Sequence, residues 1–349
     1  MFLESKEESK MNSSVVGLDI AKNVFHLYTI NADGKALKKM LRRKQVLEFF
    51  ANFTTSLIGI EACGSSNYWA RELTQLGHDV KLLNARHVKA FVKGNKNDFN
   101  DAEGIFDAVS RPNVRTVAIK TIEQQDIQLV HRLRQDAIKR RTALVNQTRG
   151  LLSERGIVIN RGINQVREQL PELLEDAENA LTTISRTAFA EQYERLLEID
   201  KEIQKHDKNI TQLCKANELS KRLMNVPGVG PMIASIVAAD LGEAQHYGNA
   251  RHYAASLGIV PKQHSSGGKP VLLGISKRGN RYIRTLLIHG ARAVLRTCEN
   301  KEDNLSLWLQ KLIKRRGFNV AAVALANKNA RILWALANKK EEYVSENYL

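Results

Sequence analysis

VVGLDIAKNVFHLYTI, residues 15–30, consists of two short apolar runs joined by Ala-Lys-Asn, the first of them ending at Asp19. β-Branched and aromatic residues dominate both runs, which predicts two strands and not a helix. Asn31-Ala-Asp33-Gly34 is then a turn signal, and ALKKMLRR (36–43) reads as the third strand of a meander. The spacing that follows predicts a helix over Val46 to Phe53 and a short buried strand over Ser56 to Ile60, ending at Glu61. Trp69, Leu73 and Leu76 recur at helical spacing before Gly77, a C-cap residue. Asp79 to Leu83 is a further strand, and helical sequence continues to Val109.

The order βββαβαβα predicts a mixed sheet flanked by helices, as in the ribonuclease H fold. Near Ile122 the texture changes. Ile127, Val130, Ala137, Leu144, Thr148 and Leu151 trace one face of a long helix that runs to Gly156, and Arg132, Arg134, Lys139, Arg140, Arg141 and Arg149 crowd its other faces. A second long helix runs from Phe189 to Ala216, with Leu196, Leu197, Ile203 and Ile210 on its apolar side. The pair predicts an antiparallel, coiled-coil-like hairpin. It is either a packed spacer or an arm that dimerises or grips nucleic acid, and the residues leave both open.

The last third opens with Asn225-Val-Pro-Gly-Val-Gly-Pro231 and an apolar helix, MIASIVAADLG. Such a helix-hairpin-helix-like turn exposes backbone N–H groups that can hold a phosphate, although turns of this kind also serve as connectors. HSSGGKPVLLG (264–274) reads as a Gly/Ser loop, and ISKRGNRYIRTLLIHGARAVL as a mostly helical segment with a basic front and an apolar back. The expected division is an α/β domain over 13–118, the hairpin over 119–217 and a mostly α domain over 218–340.

Among 349 residues, 53 Lys and Arg stand against 37 acids, a net charge of +16 that favours a polyanionic partner. With 43% hydrophobic and 26% charged residues, the chain reads as globular, neither disordered nor membrane-embedded. No apolar run approaches the roughly 18–20 residues of a membrane span. MFLESKEESKMNSS lacks an apolar signal core, so no export signal is expected. Cys63, Cys214 and Cys298 lie far apart, which points to a reducing cytoplasm and away from structural zinc. The basic excess is also localised. Between Ala244 and Cys298 there is no acid, while Arg251, Lys262, Lys269, Lys277, Arg278, Arg281, Arg284, Arg292 and Arg296 all fall there. Solvated faces mix signs, so this stretch is expected to meet nucleic acid, with Lys262, Lys269, Lys277, Arg278, Arg281 and Arg284, together with Arg149 of the long helix, as contacts.

Asp19 and Glu61 each end an apolar strand, so adjacent strands bring both to one sheet edge. Asp98 and Asp101, spaced i, i+3, share a helix face in line with Ile105. Acids on an apolar face need balancing cations. Hard carboxylate oxygens suit Mg²⁺ or Mn²⁺, and two such ions serve phosphoryl transfer. Each acid alone has an ordinary structural reading, as cap, turn former or surface residue; the joint placement is what points to chemistry.

VVGLDIAKNVFHLY, GIEACGSSNYWARELTQLGHDV and VKGNKNDFNDAEGI resemble the RuvC-like domain of the DEDD insertion-sequence transposases, recombinases guided by a bridge RNA and related to the DNA invertase Piv. VPGVGPMIASIVAADLG, YAASLGIVPKQHSSGGK and LGISKRGNRYIRTLLIHGARAV resemble the same family's C-terminal transposase domain in order and spacing. The resemblance covers nearly the whole chain beyond the first dozen residues. It implies a catalytic, metal-binding quartet of Asp19, Glu61, Asp98 and Asp101, with Glu103 and Asp107 solvated and without a role. It also implies a serine nucleophile. Counting from the Gly258 to Pro261 step places that serine at Ser266, with Ser265 as the rival, where the residues alone read as a flexible loop. Serine needs activation. In the family this comes from one subunit's carboxylates meeting another's serine, which makes a homo-oligomer, dimer or tetramer, a condition for cutting. The implied partners are donor and target DNA and a structured guide RNA, in a cytoplasmic, nucleoid-associated setting. Guide-directed choice of site accounts for a chain with no evident helix-turn-helix or zinc-finger reader.

Three rival readings share parts of this pattern. A hydrolytic nuclease or junction resolvase would use the same carboxylates with water. An actin-like kinase also begins with a Gly-x-Asp strand, but wants Gly-rich phosphate loops where Ile-Ala-Lys-Asn stands. A non-catalytic scaffold would bind nucleic acid without metal dependence.

Overall fold

The computed structural model describes residues 14–95, 97–242, 244–265 and 271–348. The chain divides into two compact units, residues 1–121 and 122–349. The first runs β1 (Ser14–Ile20), β2 (Val24–Ile30), β3 (Ala36–Arg42), α1 (Val46–Ala51), β4 (Ser56–Glu61), α2 (Ser66–Gln75), β5 (Asp79–Leu83), α3 (Ala85–Val88), α4 (Asp98–Val109) and β6 (Thr116–Val117). Its six-stranded sheet has the order β3-β2-β1-β4-β5-β6. β1, β2 and β3 form the antiparallel meander, β1-β4-β5 is parallel, and β6 returns antiparallel to β5. This mixed sheet with flanking helices is compatible with a ribonuclease H-like domain. β6 went unread because two residues carry no alternation. The helical stretch expected up to Val109 is two helices, broken where Gly94 takes a positive φ of 79°.

Side-chain alternation sorts the two sheet faces. Val16, Leu18, Leu27, Ile58 and Ile60 form one core with Trp69 and Leu73 of α2. The opposite face carries Gly17 and Gly59, and α4 lies on it. A Cβ on Gly17 would collide with the Ala102 carbonyl oxygen, and one on Gly59 would stand 2.8 Å from Val109 Cβ. Bare glycine at both points lets the helix sit directly on the strands, sealed by Ile105, Ala108 and Val109.

The second unit runs α5 (Ile122–Ser153), α6 (Ile163–Glu175), α7 (Thr183–Ala216), α8 (Glu218–Leu223), α9 (Pro231–Leu241), α10 (Ala250–Ser256), β7 (Pro261–Gln263), β8 (Leu272–Ile275), α11 (Arg281–Thr297), α12 (Asn304–Arg316) and α13 (Phe318–Lys339). α5 and α7 pack as the expected antiparallel hairpin, and α6, which carries Pro171 inside it, closes one end over Val145, Leu152, Phe189 and Leu196. Three of the arginines read as crowding the outer faces of α5 turn out to be cross-links. Arg141 meets Asp200 at 2.9 Å, Arg140 meets Glu202 at 2.6 Å, and Arg134 pairs with Asp207. Arg132 and Lys139 stay exposed. The hairpin and the C-terminal helices, read as separate segments, lie within the same compact unit.

α9, α11 and α13 supply the largest core, around Ile233, Val237, Leu287, Leu325 and Leu333. The turn before α9 is packed and half-buried: Gly228, at φ 82°, lies against the Gly290 carbonyl of α11, and Asn329 of α13 donates to the Pro227 carbonyl at 2.9 Å. The expected Gly/Ser loop over 264–274 is shorter than read, because Leu272–Ile275 pairs antiparallel with Pro261–Gln263. Leu272 and Leu273 are exposed there, so no buried face announced the strand. All three cysteines are free, Cys63 exposed and the other two buried. Among the described residues, no helix is long and apolar enough to cross a membrane.

Candidate active site

Strand register builds the acidic edge. β1 and β4 run parallel with Leu18 opposite Ile60, so the next residues, Asp19 and Glu61, are neighbours at the strand ends. On the other side Asp19 pairs with His26 of β2. Glu61, Asp19 and His26 therefore form one row on the face that α4 covers, one step beyond the glycine row. α4 begins over this row. Asn97 caps it, its side chain accepting from Phe99 N at 2.9 Å, and places Asp98 and Asp101 in the first turn. Acids are favoured there by the helix dipole.

The electrostatics show that acids from separate segments converge. Burial and then the charges of Asp101 and Asp98 push the Asp19 carboxyl up to about 6, with Glu61 adding to the rise and His26 opposing it. Glu61 is likewise raised, by burial and by Asp101. Among the described residues, one imidazole is the nearest thing to a counter-charge: His26 Nδ1 stands 3.7 Å from Asp98 Oδ2. That nitrogen is buried with no hydrogen-bond partner among the described residues, and the edge of Phe99 packs on its ring at 4.7 Å between centroids. Reading by segments missed His26. The signal was available in the β1–β2 hairpin, whose short turn sets Asp19 opposite it.

The donor set fits a hard divalent cation in chemistry: oxygens from four acids, two of them with pKa values raised by burial and by neighbouring carboxylates, and among the described residues no Lys or Arg forms an ion pair with them. Among the described residues, no three acids, histidines or cysteines are already gathered as a closed cage. The arrangement is an open acidic cluster that a cation would draw together. Glu103 and Asp107 stand apart from it, each 3.5 Å from a lysine, Lys38 and Lys93 respectively.

The other expected site residues lie in the second unit. Ser266 and Lys269 fall outside the described residues. Ser265 is exposed and accepts a hydrogen bond from Gln263 Nε2 at 2.9 Å. Lys262, Lys277, Arg278 and Arg281 are exposed. Arg284 turns inward, 8% exposed, and donates to the Leu257 carbonyl at 2.7 Å, so its place at the surface passes to those neighbours. Arg149 is half-buried and donates to the Ile159 carbonyl at 3.1 Å, tying the loop after α5 to the helix.

A mixed sheet with an acidic row under a helix N-terminus, joined to a basic helical unit, describes a class of nucleic-acid-processing protein. Sequence comparison makes it specific. The DEDD transposase model of the IS110 type matches residues 16–156, and the "Transposase IS116/IS110/IS902 family" model matches residues 220–305. The chain is 44% identical to the transposase for insertion sequence element IS1111A of Coxiella burnetii, over 97% of this chain and 94% of that one. It is 45% identical to a probable family 20 transposase of Pseudomonas aeruginosa, over 95% and 99%. A third relative, the transposase for IS1328 of Yersinia enterocolitica, is 36% identical over 94% and 98%. This chain belongs to the DEDD insertion-sequence transposase family.

Proposed function

We propose that this chain is an RNA-guided transposase that cuts and rejoins DNA through a phosphoserine intermediate. The Ser266 hydroxyl gives up its proton and attacks a backbone phosphorus. The Oγ–P bond forms as the bond from phosphorus to a deoxyribose oxygen breaks, and that oxygen leaves as the strand's free hydroxyl. A hydroxyl of the exchange partner then displaces the serine, so the number of phosphodiester bonds is conserved. Asp19, Glu61, Asp98 and Asp101 hold the divalent cation, Mg²⁺ or Mn²⁺, which when bound supplies Lewis-acid stabilisation of charge on the phosphate. Lys262, Lys269, Lys277, Arg278 and Arg281 position the backbone without reading sequence. Donor and target DNA are the substrates, a structured RNA chooses the site, and cutting waits on assembly of a dimer or tetramer at the nucleoid.

The observation that carries this reading is the convergence of acids from separate segments, Asp19 and Glu61 at neighbouring strand ends and Asp98 and Asp101 in the first turn of the helix over them, in keeping with an Asp19 carboxyl pushed up by burial and then by Asp101, Asp98 and Glu61. Acids from three segments, three of them half-buried, are costly together unless a cationic ligand offsets them. In vitro recombination with Asp19→Asn and with Ser266→Ala tests it. Each should fall by at least roughly 10³-fold, and Ser266→Ala should also lose a protein–DNA adduct trapped by denaturation. Full activity in either variant defeats that residue's role. Nicking retained by Ser266→Ala without an adduct assigns the nucleophile to water.

A further inference from the structure

A cavity of about 590 Å³ opens between the start of α10 and the C-terminal half of α13, lined by Asn249, Ala250, Arg251, Lys328, Arg331, Ile332 and Trp334. It belongs to the second unit and shares no residue with the acidic edge. Three of its lining side chains are cations and none is an acid. Among the described residues, none of the three forms an ion pair with an acid; Lys328 instead lies 4.9 Å from the ring centre of Trp308. Burial and the neighbouring Arg331 both lower the Lys328 pKa, so these cations strain against each other where they stand. Beside Asn249, which caps α10, the remaining walls are apolar: Ile332 is buried, and Trp334 is anchored by its Nε1–H, which donates to the Ala244 carbonyl at 3.1 Å.

We infer that this cavity receives one unpaired nucleotide of a nucleic-acid strand, its phosphate held by Arg251, Lys328 and Arg331 and its base against the Trp334 wall. Two features select that ligand over an intact duplex. A duplex presents its phosphates on a convex ridge that a flat basic surface serves equally well, whereas this is an open-sided hollow whose volume falls in the range of about 300–1,000 Å³ found for small-molecule sites. The combination of clustered cations with an aromatic wall matches the two halves of a nucleotide, as in proteins that hold single strands by backbone charge and base stacking. The inference rests on nucleic acid being the partner of a transposase and is independent of the carboxylates and of Ser266.

Binding of the full chain to labelled oligonucleotides, in EDTA so that no strand is cut, tests it. Wild type is compared with Arg251→Gln/Arg331→Gln, both at exposed positions, and with Lys328→Gln, against three probes: single-stranded DNA, single-stranded RNA and blunt duplex DNA of equal length. The double variant should weaken binding of at least one unpaired probe by roughly tenfold or more while duplex binding stays within about twofold; the probe that loses more identifies the sugar the site takes up. Equal losses on duplex and unpaired probes would assign these cations to general electrostatics and overturn the site, as would no loss on either unpaired probe. Because cleavage is not read, a failure of the serine or carboxylate assignments leaves this result standing, and the reverse also holds.

Discussion

The acids of the β1–β4 edge and the acids of α7 are treated in opposite ways. Asp200, 12% exposed at its side chain, is gripped by Arg141 at 2.9 Å and Arg167 at 2.6 Å, and Glu202 by Arg140 at 2.6 Å. Asp19 and Glu61 form no ion pair among the described residues, and burial together with the charge of Asp101 raises the proton affinity of both. Both sets are acidic and partly buried, yet in the hairpin arginines grip the acids, whereas at the sheet edge, among the described residues, only the His26 imidazole approaches them. Neutralised charge marks architecture; charge left for a ligand to neutralise marks function.

Removing Asp200 attacks the architectural half most directly. Asp200→Ala leaves Arg141 and Arg167 facing each other without an acid and is expected to cost roughly 3–5 kcal/mol in chemical denaturation. A loss under about 1 kcal/mol would mean that the ladder is ornamental surface pairing, and the comparison would collapse.

His131 sharpens the same contrast with a neutral group. Its ring lies between the Tyr282 hydroxyl at 2.8 Å and Ser235 Oγ at 3.0 Å, and burial, helped by Arg134, pushes its pKa down to about 4. The unfolded chain takes up this proton near pH 6.5 and the native state only near 4, so the native state binds fewer protons in between. Stability is complete above pH 6.5 and is lost as pH falls towards 4, by up to about 3 kcal/mol. Denaturation at pH 7 and pH 4.5 should show this difference shrink in His131→Gln. An unchanged pH slope would break the assignment.

The smallest effect is the most telling. With its pKa raised to about 6, Asp19 binds its proton more tightly folded than unfolded. Stability is therefore greatest below the unfolded pKa, falls as pH rises through about 6, and stays reduced above it. In EDTA at pH 8, Asp19→Asn should raise the melting temperature by roughly 1–3 °C, with no gain at pH 3.5, while abolishing recombination. A variant that is less stable at pH 8 would place Asp19 among the structural acids.

Much of this was legible along the chain. The ends of two apolar strands placed Asp19 and Glu61 at one sheet edge, and the i, i+3 spacing placed Asp98 with Asp101, because both patterns are local properties of the backbone. β4, α2 and β5 were readable for the same reason, and the family resemblance rests on those same stretches. Family membership followed from them. The basic, acid-free segment was equally visible, but composition does not tell which cations face outward: Arg281 and Arg284 share a helix face by spacing, yet Arg284 is consumed by the Leu257 carbonyl.

What composition and periodicity left undetermined depends on contacts between residues far apart in the chain. That α4 lies on the glycine track and lowers its acids onto the Asp19 row follows from close packing of a helix against two strands, which no local period encodes. His26 joins the row through hairpin register, and the arginines of α5 find their acids about sixty to seventy positions away on α7. The cationic hollow forms from residues 249–251 and 328–334 only when α10 meets α13. Side-chain direction is written locally, whereas partnership, and with it the question of which charges are left over for a ligand, is settled where distant segments close on one another.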